Sequence, residues 1–274
     1  METKAIKESQ SFCTFCRISL STKEEKILGY HEACKSEMNE FKEEMGIWYY
    51  LQLVNATEAD YEADAKGNIL SLDLSNKRLF DIPELPFKDL QYIDVSYNHL
   101  SSIPPWIYEL PSLDTMVFPG NGFNQSLVYD MLRLNEKGVN IVSTGLKFHN
   151  HRLITVNFTY VGSYLGAHLL DFPDEVAKYF STVETVDISH NGLRKLPEWV
   201  YTIKGLKELI VAGNNLTLTE LKKIRNFKKL KSLRMSRSSL SREQEKIIEE
   251  LQSNGVIISN YEPRYFWWSN DNDF

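Results

Sequence analysis

Apolar residues recur along most of the chain with one irregular spacing. In the clearest unit, the apolar positions and a single Asn are Leu90, Ile93, Val95, Asn98 and Leu100. The middle of this template alternates apolar and polar residues, as in a short strand with one buried face. The same spacing begins again at Ile69, Leu113, Val183, Leu206 and Leu230. Each unit therefore predicts a strand, a turn and a return segment, and neighbouring units must stack to bury their apolar faces.

Two longer stretches predict helices, at residues 125–137 and 241–254. Each is followed by a Gly and an apolar run, which is typical of a helix end and a further strand. Because the same order occurs twice, the chain is predicted to contain an internal duplication. Between the halves, residues 146–153 predict a hairpin, and Leu153, Val156 and Phe158 predict one more unit with a weak turn.

The repeated residues resemble the leucine-rich repeat family, in its intracellular L-x-x-L-x-L-x-x-N-x-L-x-x-I/L-P style, over roughly residues 60–260. The resemblance implies an α/β solenoid, an arc with parallel strands on its concave face, in which the Asn side chain bonds the turn backbone. One continuous arc and two blocks both fit the spacing at residues 141–158. The predicted segments are a disordered N-terminus (1–10), a zinc-binding module and helix (11–50), a solenoid cap (51–68), two repeat blocks (69–143 and 144–260), and an aromatic cap with an acidic tail (261–274).

All three cysteines lie near the start of the chain, spaced as C-x2-C-x14-H-x2-C by Cys13, Cys16, His31 and Cys34. Four sulfur and nitrogen ligands form the closed tetrahedral set of a structural zinc. The spacing resembles treble-clef zinc modules and predicts a small α+β module that holds one Zn²⁺. A redox C-x-x-C pair would leave His31 and Cys34 unexplained, and three free thiols would leave the clustering unexplained.

Composition narrows the function classes. The formal charge is −6, which disfavours a globally basic nucleic-acid binder. No apolar run reaches the roughly 18 residues of a membrane span, and the N-terminus lacks the apolar stretch of a secretory signal. We therefore expect a cytoplasmic, monomeric protein. No nucleophile elbow, phosphate loop or dinucleotide fingerprint occurs in the sequence, so we expect no enzymatic activity.

The family's usual binding surface is the concave strand face, so its variable positions are the candidate partner-binding residues. These are Tyr92, Asp94, Tyr97, Tyr160, Asp187, His190, Arg234 and Arg237. Tyr and Arg are enriched at interface centres. An Asp followed by Leu-Ser or Val-Ser is also common in the family consensus and has a purely structural reading. The resemblance implies a protein-interaction scaffold in signalling, with a small GTPase as one candidate partner.

Two further stretches leave alternatives open. Residues 222–237 hold eight basic residues and no acidic one, which fits either a solvated face or a site for phosphate or nucleic acid. The alternative function is therefore a nucleic-acid- or phosphate-binding adaptor that uses this basic run and the zinc module. Near the C-terminus, Phe266, Trp267 and Trp268 fit either a cap on the last repeat or an exposed partner patch.

Overall fold

The computed structural model of the protein describes residues 46–122, 125–159, 161, 170–237 and 240–260. The chain divides into two compact units, Met1–Thr57 and Glu58–Phe274. In the first unit, the described part holds helix α1 (Ile47–Leu53), which begins after Gly46. Several predicted features lie outside the described residues: the zinc ligands Cys13, Cys16, His31 and Cys34, the segment 261–274, and Tyr160.

The second unit contains two β-sheets. The first has the strand order β1-β2-β3-β4-β5 and the second has the order β11-β10-β9-β8-β7-β6. The strands of the first sheet are β1 (Tyr61–Ala63), β2 (Ile69–Asp73), β3 (Tyr92–Asp94), β4 (Thr115–Val117) and β5 (Asn140–Val142). Those of the second are β6 (Leu146–His149), β7 (Arg152–Asn157), β8 (Thr185–Asp187), β9 (Glu208–Ile210), β10 (Ser232–Arg234) and β11 (Ile257–Ser259).

Both sheets are built in the same way. Each starts with an antiparallel pair, β1 with β2 and β6 with β7, and continues with parallel neighbours. The hairpin predicted at residues 146–153 is present, and its tight turn places Asn150 and His151 at φ 48° and 56°. Two successive residues with positive φ are typical of a turn that matches the twist of a hairpin. Because β6 belongs to the second sheet, the first block of parallel strands ends at β5.

The strands form because each unit contributes a three-residue apolar-centred segment to a common core. In the first sheet, Leu72, Ile93 and Met116 occupy matching register positions and are fully buried. In the second, the corresponding column includes Val186, Leu209 and Leu233. Side chains on either side of each central residue point away from this core, because successive strand residues alternate between the two faces. The sheets therefore each present one ordered, partly polar face.

The return segments on the core side are helices α2 (Gln125–Glu136), α3 (Asp174–Ala177), α4 (Glu198–Thr202), α5 (Leu218–Ile224) and α6 (Arg242–Ser253), with 3-10 turns at Glu58–Asp60, Pro105–Glu109 and Lys178–Thr182. Thr217 caps α5, and Ser241 with Gln244 forms a capping box on α6. Such caps satisfy backbone N–H groups that the first helical turn leaves unpaired. The helices predicted at residues 125–137 and 241–254 are confirmed. None of the helices in the described ranges is long and apolar enough to cross a membrane.

The repeated Asn ties adjacent units together. Asn98 donates its side-chain amide to the carbonyl oxygens of Leu74 and Val95 and accepts from the Leu79 N–H at 2.9 Å. Asn121, Asn191 and Asn214 likewise donate to one carbonyl of their own unit and one of the preceding unit, and Asn121 and Asn214 also accept from the backbone of the preceding turn. The turn-bonding role implied for this Asn by the family resemblance is confirmed. Parallel strands and stacked Asn residues together support an α/β solenoid of leucine-rich repeats.

Aromatic side chains fill the core next to the β6–β7 hairpin. The ring of Phe158 lies 5.5 Å from that of Phe172, and the ring of Phe180 lies 4.5 Å from that of Trp199. Phe158 and Phe180 are fully buried, and the Trp199 indole N–H donates to the Leu170 carbonyl. The connection between β7 and β8 is longer than the connections between β8, β9 and β10, and large aromatic rings fill the apolar core beneath it.

Candidate functional site

The face of the first sheet that points away from the core carries three of the eight predicted partner residues, Tyr92, Asp94 and Tyr97. We call this surface the first strand face. It consists of Ser71, Asp73, Asn76, Tyr92, Asp94, Tyr97, Thr115, Val117, Gly120, Asn140, Val142 and Ser143. Parallel register sets Ser71 beside Tyr92 and Asp73 beside Asp94. The two carboxylates therefore lie on neighbouring strands, and Tyr92 is the first residue of the strand that ends with Asp94.

Both aspartates of this face order the turn that follows them. Asp73 Oδ1 accepts from the Ser75 N–H at 2.8 Å, and Asp94 Oδ1 accepts from the Ser96 N–H at 2.7 Å. This bond to the second following residue is the Asx turn, which explains why an Asp suits the end of each strand. Asp73 is exposed and Asp94 is half-buried. The carboxylates therefore combine a structural bond with a negative charge on the surface.

Asp187 occupies the corresponding place in the second sheet but differs in exposure. It is buried at 7% exposure, and its Oδ1 accepts from both the N–H and the hydroxyl of Ser189. A carboxylate used in this way stabilises its own turn and offers little surface to a partner. Its burial argues against the predicted partner role of Asp187.

Two tyrosines give the first strand face its exposed aromatic area. Tyr92 is 36% exposed and Tyr97 is 44% exposed. Burial raises the pKa of Tyr92, and the nearby charges of Asp94 and Asp73 raise it further. The phenol thus stays protonated near neutral pH and keeps its hydroxyl available as a hydrogen-bond donor. These side chains form an aromatic and acidic cluster on one face.

Tyr97 is held in place by an unusual backbone. It has φ 54°, and its ring covers Gly120, where an added Cβ would lie 2.4 Å from the Tyr97 ring. His190 repeats the arrangement in the second half, with φ 55° and its ring over Gly213. Positive φ is uncommon for residues with a bulky side chain. The structure therefore fixes one aromatic ring at the turn of each half.

Charges on the second sheet are paired within the protein. Arg234 Nη2 lies 2.6 Å from Glu208 Oε1, and Lys207 Nζ lies 2.7 Å from Glu184 Oε2. The hydrogen bond from Lys207 holds the pKa of Glu184 below its usual value. Of the predicted partner residues here, Arg234 contacts Glu208, and Arg237 is exposed after β10. On the second sheet, Glu184 and Glu208 are thus each neutralised by a basic side chain of a neighbouring repeat.

The basic run at residues 222–237 is also partly paired. Arg225 forms an ion pair with Glu250, in which Arg225 Nη1 donates to Oε1 at 3.0 Å and to Oε2 at 2.7 Å. Lys223 lies 3.0 Å from Glu220 and over the Tyr201 ring. The remaining basic side chains of the run are exposed: Lys222, Lys228, Lys229, Lys231 and Arg237. Internal pairing reduces the positive charge that this run offers to phosphate.

Two carboxylates on the return side are structural residues that the sequence did not single out. Glu220 accepts from the Leu196 N–H and the Tyr201 hydroxyl, and its side chain is 1% exposed. Burial alone would raise the pKa of Glu220, but these bonds and Lys223 more than offset burial and lower it. Asp130 makes the same pair of bonds to the Ile103 N–H and the Tyr108 hydroxyl. In both repeats the same sequence pattern precedes the carboxylate: an apolar residue and a Pro, followed four residues after the Pro by a Tyr.

No catalytic arrangement occurs in the described part of the chain. His99 stacks on Phe80 with ring centroids 4.9 Å apart, and His149 lies on the exposed hairpin. A cavity of about 240 Å³ beside the hairpin is lined by both polar and apolar side chains, among them His151, Arg152 and Leu153. Across the described ranges, no group of three or more His, Cys, Asp or Glu side chains could hold a metal ion.

Comparison with known proteins supports a leucine-rich repeat protein. Residues 89–110 match the family model described as Leucine Rich Repeat. Chaoptin of Drosophila melanogaster is 28% identical over 157 residues, which is 55% of this chain and 11% of chaoptin. This chain therefore spans about a tenth of the length of that relative.

Solved structures of two bacterial proteins are also similar. A leucine-rich repeat protein of Leptospira interrogans has a TM-score of 0.42 and 17% identity, covering 69% of this chain and 60% of its own. An internalin (inlF) of Listeria monocytogenes has a TM-score of 0.33 and 12% identity, covering 69% of this chain and 50% of its own.

Proposed function

We propose that this leucine-rich repeat chain is a non-enzymatic interaction scaffold that binds a protein partner on its first strand face. The observation that carries the proposal is the exposed pair Tyr92 and Tyr97 beside Asp94, with the Tyr97 ring packed over Gly120. Tyrosines present large contact areas at a low cost in side-chain entropy, which suits an interface centre. A sheet face with a fixed register also keeps these side chains at constant spacing. His190, Arg234 and Arg237 extend the proposed surface onto the second half.

Several parts of this proposal rest on the sequence alone. A structural zinc held by Cys13, Cys16, His31 and Cys34 would stabilise the N-terminal module. A contribution of Tyr160 to the partner surface, a cytoplasmic location and a small GTPase as the partner also stay predictions.

A triple variant tests the proposal without disturbing the turns. Asp94→Asn keeps an oxygen that can accept the Ser96 N–H, and Tyr97→Asn places a residue tolerant of positive φ. Tyr92→Thr introduces the residue type that Thr115 provides at the same register position. The measurement is crosslinking in cell extract. We expect the partner proteins that crosslink to the wild-type chain to be absent from the crosslinks of this variant, and we expect its circular dichroism spectrum to match that of wild type.

The matched control is Phe80→Ser, which removes an aromatic side chain that is 74% exposed and lies outside the first strand face. The control should retain the partner. Equal capture by wild type and the triple variant would refute the proposed surface.

The alternative function, a nucleic-acid- or phosphate-binding adaptor, is favoured by the exposed lysines Lys222, Lys228, Lys229 and Lys231. Binding through phosphate contacts weakens steeply with added salt, because bound counterions are released. Two results together would favour this function over the strand-face scaffold. The partner would be recovered only when nuclease is left out, and it would be lost in a variant with these four lysines changed to Gln.

A further inference from the structure

We infer that the partner segment seated on the first strand face is basic, with an Arg side chain placed over Tyr92 and between the carboxylates of Asp73 and Asp94. This inference rests on the proposed function and names the chemistry of its partner. It starts from the charge of the surface: the twelve positions of the first strand face include two aspartates and no basic residue. The basic residues nearest along the chain are Lys77 and Arg78, in the turn beyond β2, and Lys77 pairs with Asp60 at 2.9 Å.

The two aspartates are close enough to oppose each other. Asp73 and Asp94 are register partners on adjacent parallel strands. Like charges directly opposite each other destabilise a sheet, and a cation between them removes that repulsion. Among the residues that the structure describes, no ion pair involves either carboxylate. A positive charge from outside the chain would therefore gain two carboxylate contacts at once.

The second sheet shows what such a cation does. There, Glu208 lies on the equivalent face and meets Arg234 from the neighbouring strand at 2.6 Å. The first sheet has Thr115 and Val117 on the strand next to Asp94, and neither can supply a charge. Within the described residues, the strands beside Asp94 therefore supply no cation, and a partner molecule can supply one. Glu208 has the strand position that Tyr92 has in the first sheet, so its contact with Arg234 shows that this kind of face can hold a carboxylate–guanidinium pair.

Tyr92 favours Arg over other cations. A guanidinium within about 6 Å of a tyrosine ring gains a cation–π attraction, and its planar fork can bond a carboxylate at the same time. Tyr92 is exposed, and the charges of Asp94 and Asp73 both act on its phenol. Tyr92, Asp73 and Asp94 also lie on the same face of two adjacent strands, so the ring and the carboxylates are neighbours on one surface. A bare divalent cation would use the carboxylates alone and gain nothing from the ring.

The test titrates the ¹⁵N-labelled full chain with an acetylated Gly-Arg-Gly-Arg-Gly peptide and with the same peptide carrying citrulline for Arg. Citrulline keeps the shape of Arg and removes its charge. We expect the Arg peptide to shift the amide signals of Asp73, Tyr92 and Asp94, and the citrulline peptide to leave them in place. Asp73→Asn with Asp94→Asn keeps both turn-capping oxygens and should weaken binding of the Arg peptide about tenfold, because two charge pairs at the protein surface are lost.

The matched control is Asp89→Asn with Glu109→Gln, which changes the net charge equally at two exposed acidic residues outside the first strand face. This control should bind the Arg peptide as wild type does. Equal loss in both double variants would show diffuse attraction to an acidic protein and overturn the inference. Signal shifts by Mg²⁺ or Ca²⁺ alone that equal those by the peptide would overturn it as well.

Failure of this inference can be told apart from failure of the proposed function. A protein partner that depends on Tyr92 and Tyr97 but binds the Asp73/Asp94 double variant unchanged would keep the strand-face scaffold and refute the basic partner. If partner binding did not depend on Tyr92 and Tyr97, the proposed strand-face scaffold itself would be refuted.

Discussion

Replacing Asn98 with Ala should destabilise the protein strongly, because its side chain joins two repeat units. The side chain is 2% exposed. Its amide donates to the carbonyls of Leu74, Val95 and Ser96 at 2.8, 2.9 and 3.1 Å. Its oxygen accepts from two backbone N–H groups of the preceding turn, at 3.1 and 2.9 Å. The substitution leaves these buried backbone groups without that partner.

The magnitude follows from the number of groups affected. Two N–H donors are shared among three carbonyls, so the amide supplies about two full hydrogen bonds, and the oxygen supplies two more. At a net value of about 0.5–1.5 kcal/mol for each bond, the loss of four bonds lowers the free energy of unfolding by about 2–6 kcal/mol. Chemical denaturation in urea measures this loss as a lower midpoint at an unchanged slope.

Asn226→Ala provides the comparison, because Asn226 is exposed after α5. A surface change of this kind should alter the free energy of unfolding by about 0.5 kcal/mol or less. If Asn98→Ala cost less than about 1 kcal/mol at an unchanged slope, the stacked Asn would not be the link between repeats that its bonds indicate.

Two further predictions concern the buried carboxylate and the left-handed turn. The pKa of Glu220 is lower in the folded protein than the ordinary pKa of a Glu side chain, so its ionised form stabilises the fold above that ordinary value and the contribution is lost as the pH falls through the lowered pKa. Glu220→Gln should therefore flatten the loss of thermal stability between about pH 5 and 3, and an unchanged acid profile would contradict this reasoning. Gly120→Ala should displace the Tyr97 ring and strain a backbone at φ 74°, lowering the unfolding free energy by about 1 kcal/mol or more. Gly122→Ala, with open space at its Cβ, is the control, and equal urea midpoints would refute the close contact.

The repeat pattern was readable from sequence because it is local. Each strand, its buried central residue and the following Asn fall within one short unit, so spacing located β3, and the family resemblance supplied the role of Asn98. The hairpin at residues 146–153 was also visible, since its apolar and polar residues alternate across a tight turn. In contrast, spacing could not decide between one sheet and two, because that depends on whether backbone bonds continue past β5.

Long-range pairing explains what the sequence missed at the site. Nothing in the run at 222–237 indicated that Arg234 would meet Glu208 or that Arg225 would meet Glu250. The same holds for Glu220, which is buried although its residue type is rarely so. Partners of this kind come from neighbouring repeats, and a template that describes one repeat contains no information about them.

The two antiparallel hairpins have a consequence for how the chain folds. Hairpins join residues that are close in sequence and form in about 1–10 μs, whereas each parallel neighbour must wait for a long connection to close. β1 with β2 and β6 with β7 therefore offer two separate nuclei, one at the start of each sheet. We expect repeats to be added to each nucleus in order toward the C-terminus, as in a one-dimensional array. A chain emerging from the ribosome would thus complete its first sheet before the second hairpin is made.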